Sequence, residues 1–250
     1  MSWFSEGYEA VEKRDKEIKD SMRTFIPNFF VKENDENVYI SFLIDEPITF
    51  YEHYVPSVKR YFTCLDGGDT TKGNCPLCAM GNKPSFRGAY LIVDHRKEKW
   101  IDKDGKEHEQ QHTIKVAKWG IRVLKQLHKQ HIKLKQGSPV QKPIEGGITG
   151  VPFEVIRSGE GTDTAYTFTP LQPNPEMFPK DLSKLPEKDG KRLTPREAVI
   201  EAVKPLTRER LLDIINNRSS SSATAEPVNP FASPITSFYN DDDSDDVIEF

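Results

Sequence analysis

Mainly β, within the α+β class, is the fold this 250-residue sequence predicts, and three observations predict it. Short runs of β-branched and aromatic residues recur between polar turns. A single stretch after Trp119, with Ile121, Val123, Leu124 and Leu127 at helical spacing, interrupts them. The chain's 3 cysteines, Cys64, Cys75 and Cys78, all fall within one short segment, which suits an inserted lobe better than a disulfide framework.

The elements follow in order. Residues 1 to about 20 read as a helical arm, with Tyr8, Val11, Asp15 and Ile18 on one face. Thr24 to Val31 and Val38 to Ile44 flank the polar turn Lys32 to Asn37 and predict a hairpin. Thr49 to Tyr54 is a further aromatic strand. Ala89 to Asp94 and Thr113 to Ala117 are β-rich runs, and Trp100 to Gly105 reads as strand then turn. Trp119 to about Lys129 is the interrupting helix. Val151 to Arg157 and Thr164 to Pro170 bracket a Gly-rich loop and predict a second hairpin. Pro170 to Gly190 is proline-rich and irregular. Thr194-Pro195-Arg196-Glu197 is a capping box with proline at the first helical position, so a helix follows. Pro205 ends it, and Leu206 to Ile215 form another. Ser219 to Phe250, rich in Ser, Pro, Asn and Asp, reads as disordered. Short strands with one interrupting helix point to a small, partly open barrel, the OB-fold above all. The expected organisation is therefore an arm at 1–20 and an OB-fold-like body at 21–175 with an inserted lobe at about 51–88. A proline-rich segment with helices at 176–218 and an acidic tail at 219–250 complete it.

Charge is divided along the chain. Net charge is -4, yet nothing after Arg218 is basic, and Glu226, Asp241, Asp242, Asp243, Asp245, Asp246 and Glu249 all lie there. Setting aside those seven of the 39 acids leaves 32 against 35 Lys and Arg, a body of net +3. Between Lys83 and Lys142, 15 basic residues stand against 6 acids, a balance of +9 that attracts phosphate. No apolar run approaches the roughly 18 residues that span a bilayer. The N-terminus lacks the basic and apolar regions of a signal peptide, so a cytoplasmic setting is expected.

Cys75-Pro76-Leu77-Cys78 is a thiolate knuckle, with Cys64 eleven residues upstream and His53 eleven before that. Three thiolates and an imidazole suit a tetrahedral zinc ion. The loop Asp66 to Asn74 has little apolar content to order it otherwise, and metal binding would supply the folding free energy. His53 is the preferred fourth ligand and His95 the rival. Four protein ligands leave no open position for water, so the site is structural. No nucleophile elbow, P-loop, H-E-x-x-H or dinucleotide fingerprint is present.

Aromatic residues interleave with the basic ones. Exposed rings stack unpaired bases without regard to sequence. Tyr54, Tyr61, Phe62, Phe86 and Trp119 are the candidates, because Lys59, Arg60, Lys83, Arg87, Lys115, Lys118 and Arg122 stand near them. The ordinary alternative for any ring is core packing, which suits Tyr90, Phe153 and Phe168 best.

The order His53, Cys64, Cys75, Cys78 resembles the zinc-containing single-stranded DNA-binding (helix-destabilising) proteins of tailed bacteriophages. The hairpin Phe153 to Tyr166 resembles theirs as well, and the likeness covers about residues 21 to 175. The resemblance implies an OB-fold carrying a zinc subdomain, an arm that supports self-association on DNA, and an acidic tail that recruits replication and recombination proteins. It implies no enzymatic activity and no membrane. The tip, with Asp245, Asp246, Ile248 and Phe250 as the partner contacts, is also similar to that of bacterial single-stranded DNA-binding proteins, but has Glu249 where proline is usual. The arm departs from the family too, since acids interrupt Lys13, Arg14, Lys16 and Lys19.

The expected function is sequence-tolerant binding of single-stranded DNA in phage replication, recombination and repair. Two other classes compete. A zinc-ribbon transcription or RNA-binding adaptor predicts a tight protein complex and weak DNA affinity. A metal-supported nuclease predicts cleavage with magnesium.

Overall fold

The structure is a computed structural model. It describes residues 26–32, 35, 38–101, 105–137, 142–159, 164–172, 177, 182–188 and 190–217. The expected arm at 1–20 and the acidic tail, with Asp245, Asp246, Ile248 and Phe250, lie outside the described residues.

Antiparallel pairing dominates, and the α+β class holds. The strands are β1 (Val38–Phe42), β2 (Ile48–Val55), β3 (Arg60–Thr63), β4 (Ser85–Asp94), β5 (Glu98–Ile101), β6 (Glu107–Gln110), β7 (Thr113–Trp119), β8 (Pro152–Ser158), β9 (Ala165–Pro170), β10 (Glu187–Lys188) and β11 (Lys191–Arg192). The helices are α1 (Pro76–Ala79), α2 (Ile121–Gln136), α3 (Pro195–Ala202) and α4 (Arg208–Asn217).

β4 is the spine. β7 lies along one edge, from Gly88↔Trp119 to Asp94↔Thr113. β1 and β2 share the other edge end to end: β1 meets Ile92 to Asp94, and β2 meets Ser85 to Ala89. Beyond β4 the sheet therefore divides. β1 continues through β8 to β9, while β2 continues to β3 alone. No pairing among the described residues joins β9 to β7, so the seven-stranded sheet is not closed into a barrel.

Side chains from the β1–β8–β9 branch, β4 and β7 meet in one core. Phe42 is its centre, with ring centroids 5.1 Å from Tyr90, 5.4 Å from Phe153 and 6.2 Å from Trp119. The first two contacts are edge-on, placing ring hydrogens against π-faces, and the third is tilted. α2 covers this core with Leu124, Leu127 and Leu134. Its approach needs Gly88, since a Cβ there would stand 2.6 Å from a Leu124 methyl.

Two expectations are corrected. Residues before Val31 do not form a hairpin with β1. Phe29 N–H donates to Val116 O (2.8 Å) and Val116 N–H to Pro27 O (2.9 Å), so the described part of this segment lies beside β7. Pro27 has no N–H, and the segment uses its carbonyl as an edge acceptor. The interrupting helix also runs on to Gln136, where Gly137 at φ 71° ends it. The capping box at Thr194 is present as expected, with reciprocal bonds to Glu197.

Candidate metal centre and nucleic-acid face

The β2–β3 pair carries two different surfaces because successive side chains point to opposite faces. His53 is opposite Phe62, and Tyr54 opposite Tyr61. His53 and Phe62 turn inward to a small cluster formed by Val55, Val58, Leu77, the three cysteines and Leu211 of α4. Tyr54 and Tyr61 turn outward.

On the inner side, one ligand atom from each of His53, Cys64, Cys75 and Cys78 lies within 4.8 Å of all the others, and all four residues are buried. Cys64 Sγ is 3.6 Å from Cys78 Sγ. His53 Nε2 is 3.5 Å from the Sγ of both Cys75 and Cys78. A tetrahedral metal with bonds of about 2.3 Å to sulfur and 2.0 Å to nitrogen requires edges of about 3.8 Å and 3.5 Å. The donor set fits such an ion, which would fix the lobe and supply no open coordination position. The rival ligand His95 is elsewhere, hydrogen-bonded to Ser41 Oγ at 2.9 Å.

The local sequence explains the convergence. Pro76 at the first turn of α1 needs no N–H partner, and the one-turn helix brings Cys75 and Cys78 to one side. Asp66, in the turn after Cys64, accepts from Cys75 N–H at 2.8 Å. His53 Nδ1 bonds Asn82 Oδ1 at 3.2 Å, leaving Nε2 for the metal side. Asn82 Nδ2 in turn donates to Tyr54 O at 2.8 Å, which fixes the amide orientation.

Electrostatics agree. Burial lowers the His53 value against the opposing pull of Asn82 and Asp66, keeping the imidazole neutral, the form that binds metal. Burial, then the neighbouring thiols Cys64 and Cys75, push Cys78 up to about 12. Burial raises Cys75 as well, but hydrogen bonds from the backbone of Cys78, Leu65 and Leu77 outweigh it and hold this thiol low. Thiols so close resist ionising together, and a cation among them removes that conflict.

α4 was not expected at this site. Leu211 is buried in the lobe, with Ile214 and Ile215 against it. Arg208 Nη1 donates to the carbonyls of Gly73 (3.1 Å) and Asn74 (2.5 Å) in the loop before the knuckle. The second helix of the 176–218 segment is thus a wall of the metal lobe. Its spacing of leucine and isoleucine signalled an apolar face but not what that face covers.

On the outer side, Tyr54 and Tyr61 form a tilted pair, centroids 4.9 Å apart, with Tyr61 37% exposed. Lys59 and Arg60, at the turn, are exposed, as is Lys83. The same face runs back along β2 through Glu52 to Phe50, about 13 Å away at the rise of a strand. Arg87 reaches Glu52 at 3.0 Å. Lys118 Nζ stands 5.7 Å from the Phe50 ring centroid. Burial lowers the Lys118 value, with Glu52 opposing and Arg87 adding to it. Phe86 and Phe62 are half-buried on the inner face, Phe86 edge-on to Tyr51 at 5.3 Å.

Two expected nucleic-acid contacts are corrected by burial. Trp119 is 5% exposed and packs 5.2 Å from Phe168, with no face free for a base. Lys115 is 6% exposed; its Nζ bonds Asp94 at 2.9 Å and also Glu98. That cation neutralises a buried carboxylate and is not offered to phosphate. Arg122 is exposed, but on α2 rather than beside the tyrosines.

No helix among the described residues is long and apolar enough to cross a membrane. No family model matches the chain, and neither a curated protein nor a solved structure matches it.

Proposed function

We propose that this chain is a sequence-tolerant single-stranded DNA-binding protein, non-enzymatic, that coats DNA in the replication, recombination and repair of a phage genome. One observation carries the reading. A single two-stranded ribbon holds a candidate metal ligand on its inner face and, on its outer face, the tyrosine pair of exposed Tyr61 and half-buried Tyr54, next to the exposed turn residues Lys59 and Arg60. Zinc is the ion that three thiolates and one imidazole select, and here it is structural: it stiffens the ribbon so that the rings are held in place. Bases stack on the rings while cations follow the backbone. The body is read as an open relative of the OB-fold. The acidic tail, through Asp245, Asp246, Ile248 and Phe250, recruits replication and recombination proteins.

A salt-titrated comparison of an oligothymidine with a blunt duplex of equal length tests this. The oligothymidine should bind more tightly. Tyr54→Ala and Tyr61→Ala should each weaken it by about 1–3 kcal/mol without loss of bound zinc. Equal affinity for both DNAs, or tyrosine variants that bind as well as the parent, would overturn the reading.

A further inference from the structure

α2 carries a second charged surface that the tyrosine face does not include. Its sequence, Ile121 to Gln136, holds Arg122, Lys125, Lys129, Lys133 and Lys135 and no acid. At 3.6 residues per turn, Arg122, Lys125, Lys129 and Lys133 fall within an arc of about 80°, opposite the side that buries Leu124, Leu127 and Leu134. All four are exposed and line one depression together with Gln126 and Gln130. None is ion-paired with another described residue.

A merely solvated helix face mixes signs. This one does not, although helix physics favours it. Lys125–Lys129 and Lys129–Lys133 are like-charge pairs at i,i+4, which destabilise a helix. Arg122 sits in the first turn, where the helix dipole disfavours a cation, and the cap is Gly120 with no side-chain bond. The charge is held in a row at the expense of helix stability, which points to an external anion.

This row is not an extension of the tyrosine face. α2 packs through Leu124 on the Gly88 side of β4, and Arg87, one residue earlier, points to the other side. The row itself carries no ring: the aromatic side chains of α2 are His128 and His131, which lie outside its arc. It can grip phosphates but cannot stack a base. Four cations spread over about 16 Å of helix axis suit the dense charge of a duplex, about one per 1.7 Å.

We propose that the outer face of α2 is a ring-free phosphate track that holds duplex DNA beside a bound single strand, so that the protein prefers junctions between the two. The junction preference rests on the single-strand reading above; the duplex track does not. Anisotropy with the full chain tests it on an oligothymidine, a blunt duplex, and that duplex with the oligothymidine as overhang. The overhang substrate should bind at least about tenfold tighter than the oligothymidine alone, because the two sites are then linked. Combined Lys125→Gln, Lys129→Gln and Lys133→Gln should abolish that gain and lower the salt slope of duplex binding by about 2.7, leaving oligothymidine binding within about twofold. These changes remove like-charge repulsion, so the helix stays folded. Tyr54→Ala with Tyr61→Ala should weaken the oligothymidine and spare the blunt duplex. Equal loss on oligothymidine and overhang would put α2 on the single-strand path and sink the proposal. An unchanged DNA profile would sink it too, and if polyglutamate binding were lost at the same time, the face would belong to an acidic protein. Duplex binding that still depends on α2 in a parent protein unable to bind oligothymidine would retain the track and remove the single-strand reading.

Discussion

The body and the metal lobe share β2 and β4 but are held together by different physics. The body has a continuous core of large side chains, among them Phe42, Leu91, Trp119, Phe153 and Phe168, all but absent from the surface. The lobe has Val55, Val58, Leu77 and Leu211, three thiols and a histidine. The body is a hydrophobic solution to folding. With a metal on its four converging donors, as proposed, the lobe is a coordination solution, since its loop from Asp66 to Asn74 is polar and mostly exposed. On that reading a feature of the lobe answers to metal, and a feature of the body does not.

The largest expected break in this comparison comes from removing the metal. A structural site of this ligand type is worth about 10–16 kcal/mol of apparent binding free energy at neutral pH. Chelation, or Cys75→Ser, should unfold the lobe and leave the body's far-UV circular dichroism and its tryptophan environment largely intact. Metal analysis should find one equivalent per chain in the parent. A body that melts together with the lobe would show one cooperative unit instead of two.

The converse break is Trp119→Ala. The side chain touches Phe29, Phe42, Tyr90 and Phe168, and truncating a buried aromatic costs about 3–5 kcal/mol. Denaturant unfolding should report that loss with zinc content unchanged. A variant of parental stability that binds single-stranded DNA more weakly would return the ring to the surface.

Trp119 also marks where the sequence was legible and where it was not. The convergence of His53, Cys64, Cys75 and Cys78 was readable because thiolate chemistry leaves few other uses for such spacing. The strand runs of β4, β7, β8 and β9 were readable from composition, and α3 from its capping box. Trp119 misled because Lys118 adjoins it in sequence, whereas on a strand adjacent side chains face opposite ways. Lys118 lies over Phe50, and Trp119 enters the core. Lys115 misled for a related reason: its partner Asp94 is remote in sequence and adjacent only through the β4–β7 register. The closing of α4 on the lobe likewise depends on contacts between residues more than a hundred positions apart. The missing hairpin before β1 turned on which strand edge was free, a property of the whole sheet.

A smaller difference between the two regions is in their response to acid. In the body, His95 is buried between Ser41 Oγ at 2.9 Å and His112 Nδ1 at 2.7 Å. Burial, then the charge of His112, lowers it to about 4, with Asp94 pulling the other way. An unfolded histidine takes its proton near pH 6.5, so the unfolded chain gains protons that the folded one refuses. The stabilisation is complete above that pH and is lost as pH falls from 6.5 towards 4, reaching roughly 3 kcal/mol. Histidine proton shifts measured through this range should show His95 unprotonated until about pH 4. A midpoint near the ordinary value would mean that the pair opens to water.

The smallest expected effect sharpens the comparison most, because it lies where the two faces of the ribbon meet. Asn82 accepts from His53 Nδ1 and donates to Tyr54 O, so one amide orients a metal ligand and fixes the backbone beneath a ring of the outer face. Asn82→Ala removes both bonds. Loss of such a supporting partner typically costs 10- to 100-fold in metal affinity, about 1.4–2.7 kcal/mol, and chelator competition should read it. Asn82→Asp separates the two roles. A carboxylate accepts the imidazole N–H more strongly than an amide does, so zinc affinity should hold or rise. It has no donor for Tyr54 O, so the backbone link is lost. Oligothymidine binding should then weaken modestly in both variants, while zinc affinity falls only in the alanine form. Should the aspartate variant bind oligothymidine as the parent does, the tyrosine face is positioned by the strand pairing alone, and the inner and outer faces of the ribbon act independently.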